Sequence, residues 1–537
     1  MTHKIDTEGA RARTWDAIVI GAGMGGGLVG RRLAEQGLSV LFVEKGPFGP
    51  ASERVIYLNE IVEPQARTIR GFWPKQAESR LDGQTVRFFG PYGCGVGGSS
   101  VFYSAALERP ERHDLDDGEI EHPTGGWPVG YDAFRPYFDE ASRILHLSGT
   151  QDPLSKEAPV PLNPPVPLPP GDANLMEELT ANGLHPYQIH LSVKYPDKCR
   201  ACFGSKCPWG CKMDGRSAGV MPALDTGRAK VIDNCDVLEI LDDGKAVTEI
   251  RVRKDGETFS LTGNVFVLCA GSLGSARLLL ASKSRHETGC ANSSDLVGRG
   301  LMFHLDEYFC LWPRKKVIQA DDERAYGKTI AFRDLYSQDG KRFGLVQSLG
   351  TEASYGNLMH FLGNLFDQSF LRRYRRLRGL TRIPAILLSR LFGSAAVFTA
   401  MLEDFPYDEN RVLLNQDDPE VLTFEYTFNK ELLERRKAFR KALSKALRGR
   451  KRFMVSLQPV LNFGHPLGTL RFGTDPARSV LNPDCRSHDL DNLYVADASF
   501  MPSALGVNPS LTIAANALRV GDIIAAKHAK VREAHVQ

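Results

Sequence analysis

The chain has 537 residues, 42% of them hydrophobic and 24% charged, with a formal net charge of +3. Such a length holds two or more domains of roughly 100–200 residues each, and the composition is that of a folded enzyme. The small charge leaves no footprint for nucleic acid, no apolar run approaches the roughly 18 residues of a membrane-spanning helix, and 10 cysteines in so long a chain do not read as a secreted disulfide scaffold.

The N-terminus shows no apolar signal core and no twin arginine before the first strand. A cytoplasmic location is expected, with export on a partner subunit left open. Residues 17–20, Ala-Ile-Val-Ile, are apolar like a buried parallel strand. Gly21, Gly23 and Gly26 follow with G-x-G-x-x-G spacing. The first glycine permits the turn, the second lets a pyrophosphate approach the backbone, and the third lets the next helix, 28–36, pack close. Residues 39–44 predict a second strand ending in Glu44, about 20 residues past the first glycine, where a ribose-hydroxyl acceptor belongs. The plainer alternative is a glycine turn without a ligand. An acid here disfavours NADP but does not separate NAD from FAD.

A second glycine stretch, 93–100, contains Gly97, Gly98 and Ser99. It suggests another close backbone approach to a long cofactor, such as the flavin end of FAD, or else a tight structural turn. Residues 159–170 are proline-rich and predict a stiff surface linker. Cys199, Cys202, Cys207 and Cys211 fall within 13 residues, a spacing compatible with zinc, an iron–sulfur cluster or a metal-free loop. Residues 264–280 again read strand, glycine turn, helix, and predict a returning strand of the first sheet. Antiparallel strands are expected near 396–402 and 411–414. The segment 371–390 is basic and amphipathic: a solvated helical face, a membrane-surface or partner contact, or a substrate lid. A basic surface helix is expected over 430–450. Near the end come His465-Pro-Leu-Gly-Thr469, then Asp497, then Asn508-Pro509-Ser-Leu-Thr512.

These motifs, with Gly126-Trp-Pro128, Cys269-Ala-Gly271 and Asp295-Leu-Val-Gly-Arg299, resemble the glucose–methanol–choline (GMC) family of FAD oxidoreductases over nearly the whole chain. The nearest look is to its bacterial sugar-dehydrogenase and pyranose-oxidising branch. The resemblance implies an α/β protein: a Rossmann-like FAD-binding domain with a parallel sheet, plus an α+β substrate domain with an antiparallel sheet. The FAD domain is expected to be discontinuous (1–45, 85–110, 225–305 and 460–537). The substrate or cap segments are 46–84, 111–224 and 306–459, including the linker 159–170 and the loop 199–211. Tyr103 takes the place where family oxidases commonly carry an asparagine near the flavin ring. Val237 looks like the residue that meets the adenine, and Asp497 like the acid near the ribityl and pyrophosphate. No histidine stands in the loop where some relatives attach FAD covalently, so non-covalent FAD is expected. Some family dehydrogenases carry an iron–sulfur cluster in a similar cysteine loop, which makes Cys202, Cys207 and Cys211 the metal candidates here.

The resemblance makes His465 and Asn508 the catalytic pair. Alcohol oxidation removes an O–H proton and a C–H hydride, the latter going to flavin N5. A histidine with an ordinary pKa of roughly 6.5 can be the neutral base, and an amide can hold the oxygen as charge develops. Pro509 holds the chain extended just before a helix starting near Thr512. That helix N-terminus is expected at the pyrimidine end of the flavin. His304 also matches a family position and is read as structural. The expected function is oxidation of a sugar, polyol or other alcohol to a carbonyl. A lyase or decarboxylase that keeps FAD, a non-enzymatic electron-transfer subunit, and a steroid, long-chain or secondary-metabolite alcohol oxidase are the alternatives. The electron acceptor, O₂ or a redox partner, stays open.

Overall fold

A computed structural model describes residues 3–50, 64–196, 199, 204–207, 209–314, 328–352, 358–359, 362–363, 366, 373–393 and 395–536. Five parallel strands form one sheet in the order Leu493–Val495, Gly263–Leu268, Trp15–Ile20, Val40–Val43 and Ala229–Ile232. Trp15, Ala17, Ile18 and Val19 are wholly buried, as an apolar strand in mid-sheet requires. The glycine turn leads into the helix Met24–Glu35, which packs on this sheet and against the C-terminal helix Ser510–Val536. The 264–280 segment is the returning strand and its helix, Gly271–Ala281, as the sequence predicts.

A second sheet has six strands, each pair antiparallel: Arg452–Met454, Leu305–Leu311, Ala396–Leu402, Val346–Glu352, Ile330–Phe332 and Tyr187–Gln188. Side chains alternate between its faces. Phe309 pairs with Phe398, and Leu305 with Leu402, on one apolar face that joins a separate hydrophobic cluster. On the other face Tyr308 stands opposite Thr399, and Thr399 opposite Gln347, so a polar row crosses the sheet.

The expected strand near 411–414 is present as Arg411–Leu413 but belongs elsewhere. It joins a mixed four-stranded sheet with Thr423–Tyr426, Ala77–Leu81 and Gln84–Phe88. The hairpin Ala77–Leu81/Gln84–Phe88 therefore straddles residues 84 and 85, where the sequence suggested a boundary. The proline-rich stretch forms no named strand and ends in the helix Pro170–Ala181, with proline at its first position. The helix Lys430–Ala446 is not a purely surface element: Leu432, Phe439 and Leu443 bury one side of it. Among the described residues no helix is long and apolar enough to cross a membrane.

Candidate active site

A cavity of about 510 Å³ runs between the two sheets, from Gly23, Glu44 and Val237 at one end to His465 and Asn508 at the other. Three of its features come from the parallel sheet. Gly21 has φ +97°, and a Cβ there would lie 2.4 Å from the Cys269 carbonyl oxygen. Gly23 differs: the nearest atom to an added Cβ is 3.8 Å away. Fold packing does not demand a glycine at 23, but close approach of a ligand does. Glu44 is buried and accepts from the backbone N–H groups of Ala22 (2.8 Å) and Gly46 (3.0 Å). Burial raises its pKa. Those two bonds leave further acceptor capacity on the carboxylate.

The second glycine stretch meets the first. Gly97 N–H donates to the Ala22 carbonyl at 2.7 Å, and a Cβ on Gly98 would sit 2.8 Å from Gly23 Cα. Gly98, Ser99 and Tyr103 line the cavity, whereas Gly26 and Gly97 do not: Gly26 lets the helix Met24–Glu35 sit close to the Gly21 backbone, a Cβ there falling 2.0 Å from the Gly21 carbonyl oxygen, and Gly97 makes its turn at φ +101°. The Tyr103 hydroxyl donates to the Met213 carbonyl, so its ring borders the cavity while its polar end is engaged in the protein. Asp497 also borders the cavity. One of its oxygens accepts from Gly271 N–H at 2.8 Å and from the Ser275 hydroxyl, the other from Ser499 N–H at 2.9 Å. The carboxylate thus caps the start of the Gly271–Ala281 helix, where a negative charge suits the helix dipole.

At the far end His465 and Asn508 face the same space. His465 sits on a loop held by Met302 and Leu467, which exchange backbone hydrogen bonds at 3.0 Å. Gly468 allows that loop to close: a Cβ there would lie 2.3 Å from the Gly300 carbonyl oxygen. His465 Nδ1 lies 3.1 Å from His304 Nδ1, and His304 Nε2 lies 3.0 Å from the Leu505 carbonyl oxygen. A carbonyl only accepts, so His304 Nε2 carries a proton. Burial holds the His304 pKa at about 4, so the ring is neutral and its Nδ1 is an acceptor. His465 Nδ1 must then be the donor, leaving the Nε2 lone pair free. Burial, His304 and Lys328 push the His465 pKa well below the ordinary value. The Leu505 carbonyl is presented from a left-handed backbone, φ +63°, unusual for a bulky residue and typical of functional sites. Asn508 and Gln347 exchange long amide contacts, 3.3 and 3.4 Å, which fix the orientation of the Asn508 side chain.

Models of the GMC oxidoreductase family match the chain twice, the N-terminal model over residues 15–306 and the C-terminal model over 406–517. The chain belongs to the GMC oxidoreductase family. Among its relatives, 6'''-hydroxyparomomycin C oxidase of Streptomyces lividus is 28% identical, over 98% of this chain and 94% of its own. The 2-methyl-1,2-propanediol dehydrogenase of Mycolicibacterium austroafricanum is 26% identical over 96% of each. A formate oxidase variant of Aspergillus oryzae RIB40, solved to examine FAD modification, shares the fold with a TM-score of 0.67 at 17% identity, over 96% of this chain and 99% of that one.

The residues of this GMC protein fit FAD. The open approach at Gly23, beside the N-terminus of Met24–Glu35, suits a pyrophosphate. Glu44 has acceptor capacity for ribose hydroxyls, and Val237 borders the same end. Gly98, Ser99 and Tyr103 border the middle. Asn508 and Pro509 stand at the entrance to Ser510–Val536, a helix that starts two residues earlier than the sequence suggests.

The cysteine loop is partly outside the described residues, which exclude Cys202. Cys207 and Cys211 sulfurs are 3.2 Å apart, and Cys199 Sγ is 3.7 Å from Cys211 Sγ. Burial and the neighbouring thiols raise the Cys211 pKa, favouring the neutral thiol. Among the described residues no group of three or more His, Cys, Asp or Glu is arranged to hold a metal.

Sequence reading missed the polar row of the antiparallel sheet. Asp306, Tyr308, Lys328, Gln347 and Thr399 all line the cavity. Asp306 Oδ2 accepts from the Tyr308 hydroxyl at 2.7 Å. Among the described residues neither Asp306 Oδ1 nor Thr399 Oγ1 completes a hydrogen bond, although Thr399 is near enough to favour the Asp306 carboxylate. Burial lifts the Asp306 pKa to about 6 and lowers that of Lys328 to about 8. The available signal was a lone polar residue at a cavity-facing position of an otherwise apolar strand, as Thr399 is in Ala-Val-Phe-Thr-Ala-Met-Leu.

Proposed function

We propose that this GMC oxidoreductase oxidises a carbinol of a neutral polyol or sugar to a carbonyl, with His465 as base and Asn508 holding the reacting oxygen. The observation that carries this is the proton order Leu505–His304–His465. It leaves a neutral imidazole with an unengaged Nε2 lone pair facing the cavity, beside an amide that can donate. Bound non-covalently, FAD would supply the two-electron acceptor. His465 Nε2 takes the hydroxyl proton. Asn508 Nδ2–H stabilises the charge growing on oxygen.

The polar row supports the polyol. Asp306 offers an unpaired buried oxygen, and Lys328 makes no ion pair within 4.0 Å among the described residues. A second hydroxyl donates to Asp306 and accepts from Lys328, and leaves no net charge in the site. A cation would meet Lys328, and an anion would meet Asp306. The relative acting on 2-methyl-1,2-propanediol, a vicinal diol, fits this reading.

The test is anaerobic mixing of the FAD-loaded protein with simple alcohols, vicinal diols and sugars. Flavin bleaching by a polyol, with one carbonyl formed per flavin reduced, is expected. No bleaching by any alcohol, or product formed while the flavin stays oxidised, overturns it.

A further inference from the structure

The helix Arg382–Phe392 inverts the usual pattern of a surface helix. Its inward side is Ala385, Leu388, Ser389 and Phe392, while Ile383, Ile386, Leu387 and Leu391 are exposed. Leu377 and Leu380, in the 3₁₀ turn just before it, are exposed too. The helix end reaches the edge strand Arg452–Met454 of the antiparallel sheet: the rings of Phe392 and Phe453 are 5.4 Å apart. Phe453, Val455 and Leu457 carry the apolar surface onward, Leu457 at 80% exposure. Nine of the fifteen exposed large hydrophobic side chains among the described residues fall on these two segments. That concentration is of the kind that marks a docking site rather than scattered surface apolarity.

Charge selects the occupant. Residues 371–390 contain seven arginines and no Asp or Glu. Arg376, Arg382 and Arg390 are exposed beside the apolar side chains. Apolar side chains flanked by long cations are the pattern of a helix lying in a lipid interface, its arginines reaching anionic headgroups. We propose that Leu377–Leu391 and the Phe453–Leu457 edge seat this protein on an anionic lipid surface without spanning it. The strand Ala396–Leu402, whose Thr399 borders the cavity, begins a few residues after the helix, so the docked face and one wall of the cavity are neighbours along the chain.

The probe is co-sedimentation of the full-length, FAD-loaded protein with phosphatidylglycerol–phosphatidylcholine vesicles, compared with phosphatidylcholine alone. Binding at least about tenfold stronger to the anionic vesicles, weakened by salt, is expected. Ile383→Glu with Leu387→Glu removes it, and Arg382→Glu with Arg390→Glu lowers it to the phosphatidylcholine level. The flavin spectrum and thermal unfolding of each variant check its fold. Where the glutamates impair folding, the salt dependence of the unaltered protein still decides. Equal binding to both vesicles, or none, overturns the proposal. So does a concentration-dependent dimer of the unaltered protein that ignores vesicles and is broken by the Ile383/Leu387 variant, because the face then serves a second copy of the chain.

Discussion

His304 Nδ1 and His465 Nδ1 stand 3.1 Å apart, and only one of them can carry the proton between them. The Leu505 carbonyl decides which, because it occupies the only N–H that a neutral His304 has. Main-chain geometry at Leu505 thereby fixes the tautomer of His465 through a second ring, and fixes the side of His465 on which a lone pair is available.

Replacing His465 by Gln is expected to slow flavin reduction about 10²–10⁴-fold, the usual contribution of a positioned base. The protein should still purify yellow, since Gln keeps the volume of the site. Rapid-mixing absorbance under anaerobic conditions reads both.

His304→Leu is expected to lower kcat about tenfold or more by stranding the His465 N–H without a partner, a cost of about 1–3 kcal/mol. His304→Gln, which restores an acceptor, should recover part of that loss. The pH profile separates this from general damage. His465 is held neutral below the usual histidine pKa partly by His304, so activity in the unaltered enzyme should persist as pH falls below about 6.5. In His304→Gln the acid limb of kcat/KM should move to higher pH. An unmoved limb would mean that His304 only fills space.

Gly23→Ala and Gly25→Ala should separate cofactor binding from folding. An added Cβ at 23 meets nothing closer than 3.8 Å, whereas at 25 it would lie 2.0 Å from the Ala496 carbonyl oxygen. The Gly23 variant is expected to fold with the stability of the unaltered apoprotein but to bind FAD at least about tenfold more weakly, as loss of a close phosphate contact implies. The Gly25 variant is expected to lose thermal stability even without FAD. Differential scanning fluorimetry with and without FAD distinguishes them.

Asp306→Asn is expected to raise KM for polyols about 10–100-fold, the worth of a hydrogen bond to a charged group, and to leave simple alcohols little changed. Burial holds the Asp306 pKa at about 6, so polyol affinity in the unaltered enzyme should weaken as pH falls through 6 and the carboxylate is protonated. The variant should lack that limb. Equal effects on diols and simple alcohols would remove Asp306 from substrate recognition.

The nucleotide end was legible because its signals are local. Gly21, Gly23 and Gly26 stand at a fixed spacing within six residues, and Glu44 follows at the end of the adjacent strand. The antiparallel sheet was only half legible. Ala396–Leu402 reads as a strand, but nothing within Arg411–Leu413 says that its partner is Thr423–Tyr426 rather than the cavity-lining sheet. Pairing partners are chosen by long-range packing. The Ala77–Leu81/Gln84–Phe88 hairpin is a different case: its strands pair residue by residue across the two-residue turn Asp82-Gly83, a local signal that a division between residues 84 and 85 overlooks.

By itself the sequence determined the family, the parallel-sheet nucleotide fold, and the identity of His465 and Asn508 as the residues to examine, since each rests on residue types at short, fixed spacing. Only the tertiary structure decided what surrounds them. It brought His304 to His465, Leu505 to His304, and Asp306, Lys328 and Thr399 onto one wall of the cavity. Those groups are far apart along the chain. Their protonation and their unused hydrogen-bonding capacity arise from burial and from neighbours that only folding supplies.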